Sequence, residues 1–200
     1  PGIWFGLLLL TGTKKRYIFG LIAIGVIAAT VGWFFLFKDY QKDRIINFIY
    51  PTHDPLGSGY NVNQSIIAIG AGQLMGRGLG FGSQSQLHFL PEAQTDFIVS
   101  VIGEELGFLG LFALLTLYGF ILWRLIRIAE RARTDFAAYA ALGIALLFLI
   151  QLCVNTGAAF GLLPVTGVTL PLVSYGGSSL ITSFALLGLA QSLARSRPVS

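Results

Sequence analysis

The sequence predicts an all-α fold: a polytopic bundle of transmembrane helices with four complete spans, a partial span before them and a long folded extracytoplasmic loop. Two observations carry this. Hydrophobic residues make up 54% of the 200 residues and charged ones 11%, with a mean hydropathy of +0.75, whereas soluble domains carry about 25% charged residues. The apolar residues also gather into runs of the ~20 residues that a hydrocarbon core about 30 Å thick requires.

Gly2–Leu10 is apolar but too short to span. It lacks a basic leading region and a cleavage site, so it reads as the end of a cut helix and not as a signal peptide; on this reading the chain is a fragment. The first full span is Tyr17–Phe37, between Lys14–Lys15–Arg16 and Lys38–Asp39. The second is about Phe97–Trp123, ending at Arg124. The third is about Phe136–Phe160, ending in the Gly161/Pro164 turn, and the fourth is about Gly177–Ala194, before Arg195 and Arg197. One membrane domain over 1–200 is expected.

Orientation follows from the basic residues. Lys14, Lys15 and Arg16 lie in one short loop. Arg124, Arg127, Arg131 and Arg133 lie in a second, and Arg195 and Arg197 in the tail. If every span crosses once, all three segments share a side, and that side is the cytoplasm. The net charge of +4 reflects this sorting and does not point to nucleic acid. The single Cys153 excludes an intramolecular disulfide and reads as a small buried apolar residue. His53 and His88 lack ligand-like spacing and are assigned no metal.

The loop over 38–96 is too long for a passive connection. Asn61 or Asn63 can cap a short helix carrying Ile66, Ile67 and Ile69, which should stop near Gly70 and Gly72. Gly76, Gly78, Gly80 and Gly82 then alternate with Arg77, Leu79 and Phe81, a pattern that allows tight turns or close backbone approach to a ligand. No Gly-Lys-Ser/Thr follows, so this is not a phosphate-binding P-loop.

Carboxylates at the entrance of the second span are the main chemical signal, because ionised groups in spans are costly and tend to be functional. On a helix, Asp96, Ser100, Gly103 and Glu104 share a face. Thr95 or Asp96 could also be a plain N-cap and interfacial anchor. Glu104 and Glu105 lie deeper, where one could pair with Arg77. Gln151 and Asn155, four apart on the third span, suit hydrogen bonds between helices or contact with substrate. Gly157 and Gly161 form a weak small-residue packing signal, and Tyr175–Gly176–Gly177–Ser178–Ser179 opens the last span with groups that favour close helix approach.

Taken together, these segments resemble the SEDS family of membrane glycosyltransferases, the RodA/FtsW/SpoVE group. The stretches that carry the resemblance are Tyr50–Pro51 with Asp54–Tyr60, Gln64–Ser65 with Ala68–Gly70, Gly76–Gly80, Gln84–Ser85, Leu90–Glu92, Thr95–Ile98, Gly103–Gly107, Gly161–Gly167, Pro171 and Ser174–Ser179. The resemblance covers nearly all of the chain from Lys38 onward, corresponds to the family's C-terminal half, and is closer to RodA than to FtsW.

The resemblance implies a peptidoglycan glycosyltransferase that polymerises lipid II during cell elongation and so controls cell shape. A sugar 4-hydroxyl attacks with inversion and undecaprenyl pyrophosphate leaves. The family's essential aspartate carries over to Asp96 as catalytic base. Arg77, Gln84, Ser85, Glu92 and Thr95 are candidate substrate-binding residues. Glu92 and Asp96 are candidate ligands for a divalent cation, magnesium or manganese; no organic cofactor is implied. The expected partners are lipid II and the growing glycan, membrane lipid, and a class B penicillin-binding protein within the elongation or division complex. The expected location is the bacterial inner (plasma) membrane, as a multi-pass protein with its active face extracytoplasmic. The family's basic residues from earlier helices are absent here, so these 200 residues alone are expected to be inactive. The alternatives are an FtsW-like division member, a lipid-linked precursor flippase and a non-catalytic scaffold for a penicillin-binding protein.

The orientation is tested by labelling intact cells with an impermeant thiol reagent in a Cys153→Ser background. A cysteine placed between Arg127 and Arg133 should be shielded and one at Ser58 labelled; the opposite pattern would invert the topology.

Overall fold

A computed structural model describes residues 2–10, 15–38, 41–42, 45–46, 48, 58–86, 89–90 and 92–195. The helices are α1 (Gly2–Leu10), α2 (Lys15–Phe35), α3 (Ser58–Ala71), α4 (Ser83–Gln86), α5 (Ile98–Glu130), α6 (Asp135–Ala159) and α7 (Gly177–Arg195). Four of them, α2, α5, α6 and α7, are long and apolar enough to cross a membrane, matching the four expected spans. His53 and His88 fall outside the described residues.

The bundle is organised around α5 and α6. On α6 the buried residues Ala137, Ala141, Ile144, Ala145, Phe148, Leu152, Asn155 and Ala159 recur every three or four positions, which lays them along one stripe. Most are small. Lipid is as apolar as a leucine side chain, so close packing through small residues, not the hydrophobic effect, holds such helices together. Val99, Tyr118 and Leu125 of α5 pack into the same core with Leu170 and Ala190. Thr134 caps α6 by accepting from the Ala137 N–H at 3.2 Å.

α6 runs opposite to α1 and α5. Asn155 near the end of α6 meets Asp96 just before α5. Gly2 of α1 faces Ile150 and Gly6 faces Leu146, so α1 descends α6 toward the Lys15–Arg16 end. The basic ends of α5 and α7 also meet, Arg124, Arg127 and Arg131 lying beside Leu193 and Ala194. This geometry agrees with placing the basic segments on one side.

α5 departs from the sequence expectation at three points. It continues past Arg124 to Glu130, because Leu125 and Ala129 keep a buried face and arginine does not disfavour helix. It begins at Ile98, not at Asp96. It is also interrupted at Gly107, where φ is 66° and ψ −160°, a region essentially reserved for glycine that costs other residues about 1–3 kcal/mol.

The interruption frees backbone groups that lipid could not satisfy. The loop after α3 takes them up: Arg77 N–H donates to the Glu104 carbonyl and Gly78 N–H to the Glu105 carbonyl, both at 3.0 Å, while Phe108 N–H donates to Gln73 O at 2.8 Å and Leu109 N–H to Leu74 O at 3.2 Å. Glycine permits this contact. A Cβ on Gly72 would overlap the Gly103 carbonyl, and one on Gly76 the Glu105 carbonyl. The close approach expected of the glycine series is therefore made, at Gly72 and Gly76, to the backbone of α5.

Two further expectations are corrected. α3 starts at Ser58, so Asn61 and Asn63 lie inside it and cap nothing; packing of its inner face, with Ser65 and Ala68 buried, overrides the local capping preference. Cys153 is exposed, on the face of α6 turned away from the core.

Gly72→Ala and Gly107→Ala should each lower stability by at least about 2 kcal/mol, read as a reduced melting temperature in detergent. Gly119→Ala should not, because the space around Gly119 is open.

Candidate functional site

The turn before α5 is built on one carbonyl. Glu92 has φ 52°, and its carbonyl accepts from the N–H groups of Thr95 and Asp96 at 3.1 Å and of Phe97 at 3.4 Å. Thr95 Oγ1 adds bonds to Glu92 O at 3.2 Å and Glu92 Oε2 at 3.1 Å. The first residue flanking α5 is Phe97, which makes no side-chain cap; neither Thr95 nor Asp96 occupies that capping position.

The segment between α6 and α7 clasps this turn from outside. Tyr175 N–H donates to Gln94 O at 2.8 Å, Ser174 Oγ to Thr95 O at 2.7 Å, and Asn155 Nδ2 to Asp96 O at 3.1 Å and Val168 O at 2.8 Å. Three successive carbonyls are thus held by α6 and the loop after it. Tyr118 OH donates to the Pro171 carbonyl, tying that loop to α5. Among the described residues, the non-glycine positions with positive φ are Gln73, Glu92 and Leu172. Two lie in the turn and its clasp and the third in the loop docked at Gly107, so local strain gathers where the chain positions these parts. Strain of this kind persists only where surrounding contacts over-determine it.

Asp96 is half-buried and lines a narrow crevice with Val154, Asn155, Ala158 and Val165–Val168. Asn155 lies about 30 Å along α6 from Asp135, roughly one hydrocarbon thickness from the basic side. That distance places Asp96 at the end of the bundle opposite the arginines of α5 and α7. Asn155 Oδ1 is buried without a protein partner.

The other sequence candidates form a second cluster. Glu104, fully buried, accepts from Gln84 N–H at 2.9 Å and Ser83 Oγ at 3.4 Å. Arg77 Nη1 donates to Ser83 Oγ at 2.7 Å and its Nε to Ala71 O at 3.4 Å. The expected Arg77–carboxylate pairing is thus bridged by Ser83, with the Arg77 backbone also bound to Glu104 O. Ser100 and Gly103 face α3: Ser100 meets Ser65 at 2.5 Å and Gly103 meets Ile69. Asp96 turns instead toward α6. The structure therefore groups Glu92, Thr95 and Asp96 together, and Arg77 and Gln84 apart from them. Ser85 belongs to the short α4 with Gln84. Ser174 and Tyr175 fall in the Ser174–Ser179 stretch read for family resemblance and close helix approach; their grip on the turn, 79 and more residues back along the chain, appears only in the fold.

Among the described residues, no group of three or more His, Cys, Asp or Glu side chains gathers to hold a metal. Of the two carboxylates in the turn before α5, Glu92 accepts from Thr95 Oγ1 through Oε2 and Asp96 lines the crevice beside α6.

A model of the FtsW, RodA and SpoVE cell cycle proteins matches residues 2–198. The chain belongs to this family. It is 47% identical over 188 residues to the peptidoglycan glycosyltransferase MrdB of Escherichia coli K12, covering 93% of this chain and 50% of that one. It is 41% identical over 192 residues to a probable peptidoglycan glycosyltransferase FtsW of Thiomicrospira cyclica, covering 94% and 48%. Among solved structures, a chain from a peptidoglycan synthase complex that coordinates polymerization and crosslinking superposes with a TM-score of 0.75 at 34% identity, over 100% of this chain and 55% of that one. The Thermus thermophilus rod shape determining protein RodA, as an aspartate-to-alanine mutant, gives 0.53 at 40% identity, over 68% and 41%. This FtsW/RodA/SpoVE chain spans about half the length of the curated relatives it matches.

Asn155→Ala would leave the Asp96 and Val168 carbonyls without their shared donor. Two part-buried acceptors lose a hydrogen bond each, at about 0.5–1.5 kcal/mol per bond, so melting in detergent should fall measurably. Gln151→Ala, outside the clasp, should cost less.

Proposed function

We propose that this chain carries the catalytic base of a peptidoglycan glycosyltransferase that polymerises lipid II at the outer face of the bacterial inner membrane, in the service of cell elongation. The observation that carries the reading is Asp96: a half-buried carboxylate at membrane-boundary depth, its backbone clasped by α6 and the following loop. The names of the relatives support the chemistry, and the likeness to a rod shape determining protein RodA supports the elongation reading.

In the proposed step, the 4-hydroxyl of one lipid-linked sugar attacks the anomeric carbon of the growing glycan from the face opposite its pyrophosphate. The new C–O bond forms as the bond to pyrophosphate breaks, and the hydroxyl proton passes to the Asp96 carboxylate. Undecaprenyl pyrophosphate leaves with the bonding pair. Positive charge near the leaving group lowers this barrier; a divalent cation held by Glu92 and Asp96 would supply it when bound. Glu92 and Thr95 shape the turn around the base. Arg77, Gln84 and Ser85 are assigned to a separate contact with the extended substrate, beside Glu104. A class B penicillin-binding protein is the proposed partner, its single span lying along the lipid-facing sides of α5 and α6. Photo-crosslinkers on those sides should capture it; capture only from α2 would remove this placement.

In a full-length protein built around this sequence, Asp96→Asn keeps the backbone carbonyl and the size of the side chain but cannot accept the proton. General-base catalysis contributes about 10²–10⁴-fold, so polymerisation should fall by that order with expression and partner binding intact. Glu104→Gln, which retains an acceptor for α4, should be milder. Near-parental polymer yield from Asp96→Asn would eliminate Asp96 as the base.

A further inference from the structure

Arginines at the other end of the bundle are not used by the reaction. Arg124, Arg127, Arg131 and Arg133 line one cavity of about 360 Å³ between the ends of α5 and α7, walled on its apolar side by Ile128 and Leu193. Sorting of positive charge to the cytoplasmic side explains their presence there, but it does not require that they converge. The four arginines are exposed, and an anion seated in the cavity they line would gain charge-assisted hydrogen bonds. Among the described residues only Arg127 of the four has an ion pair, to Glu130 at 3.7 Å, and that pair is exposed. Arg127 also lies over the Trp123 ring, 5.6 Å from its centroid.

We propose that this cavity binds the phosphate of an anionic phospholipid of the cytoplasmic leaflet. Its depth selects a lipid over a free anion. α7 is 19 residues long, about 28 Å, close to one hydrocarbon thickness, so Leu193 stands at the boundary between acyl chains and headgroups. α5 runs about 34 Å beyond its break at Gly107, which carries Arg127 and Arg131 into the headgroup layer. A lipid placed there sets its phosphate among the guanidiniums and the start of its acyl chains against Ile128 and Leu193. The planar fork of arginine matches phosphate oxygens two at a time, and basic pockets between spanning helices on the cytoplasmic side suit such headgroups. The site is remote from Asp96, at the opposite end of the same helices.

The test uses the full-length protein purified in detergent. Bound lipid is counted by native mass spectrometry, and thermal shifts are measured with dioleoyl phosphatidylglycerol, dioleoyl phosphatidylcholine and inorganic phosphate. The parent should bind phosphatidylglycerol at least tenfold more tightly than phosphatidylcholine. Each guanidinium removed should cost about fivefold, so Arg124→Gln with Arg131→Gln should lose about 25-fold, while Arg124→Lys with Arg131→Lys, which keeps the charge, should lose much less. Equal affinity of the parent for the two lipids would overturn the proposal, as would an unchanged affinity in the glutamine double variant. Inorganic phosphate binding as tightly as phosphatidylglycerol would identify a free-anion site and overturn it too. If the glutamine variant fails to fold, the parent's lipid preference and the lysine variant decide the matter.

Discussion

The break in α5 at Gly107 is the constraint on which the rest of the structure turns. A membrane helix satisfies its own backbone, and any interruption must be repaired by protein. Here the repair is made by the loop 72–78, whose N–H and carbonyl groups substitute for the missing intrahelical partners. That substitution fixes α3 against α5. It also sets Glu104, just before the break, where its carboxylate receives the N-terminus of α4. The glycines at 72 and 76 are required because two backbones meet there.

From this anchor the positioning of Asp96 follows. The α5 segment before the break packs on α3 through Ser65, Ser100 and Gly103, which leaves the preceding turn free to face α6. The turn is then gripped through three successive carbonyls. This grip orients the Asp96 main chain, and the residue lines the crevice beside α6. A base positioned by surrounding structure loses less freedom when the substrate arrives.

Much of this was legible in the sequence. The four spans follow from run length, and the shared side of the basic segments from their spacing along the chain; Asp96 stood out as a carboxylate at a span entrance. The break did not show, because Gly103–Gly110 reads as continuous apolar helix apart from its two glutamates, and a positive φ at Gly107 depends on what docks there. The glycine series allows tight turns or close approach to a ligand; in the structure Gly76 instead approaches the α5 backbone, a partner that depends on the fold. The division of the candidates into a turn around Asp96 and a cluster around Glu104 is likewise tertiary. Ser174 lies 79 residues from the carbonyl it holds, and nothing local marks it. Arg124–Arg133 carried a topological signal, while their convergence on α7 appears only when helix ends meet in space.

The central claim is that the clasp acts on catalysis through the placement of Asp96. A double-mutant cycle between Asn155 and Asp96 tests it most directly, with lipid II polymerisation as the readout in the full-length protein. Residues that work through one another are non-additive. On this account Asn155→Ala slows the parent at least about tenfold, yet adds almost nothing to the loss already caused by Asp96→Asn. Losses that multiply in the double variant would contradict it, showing that Asn155 and Asp96 act independently.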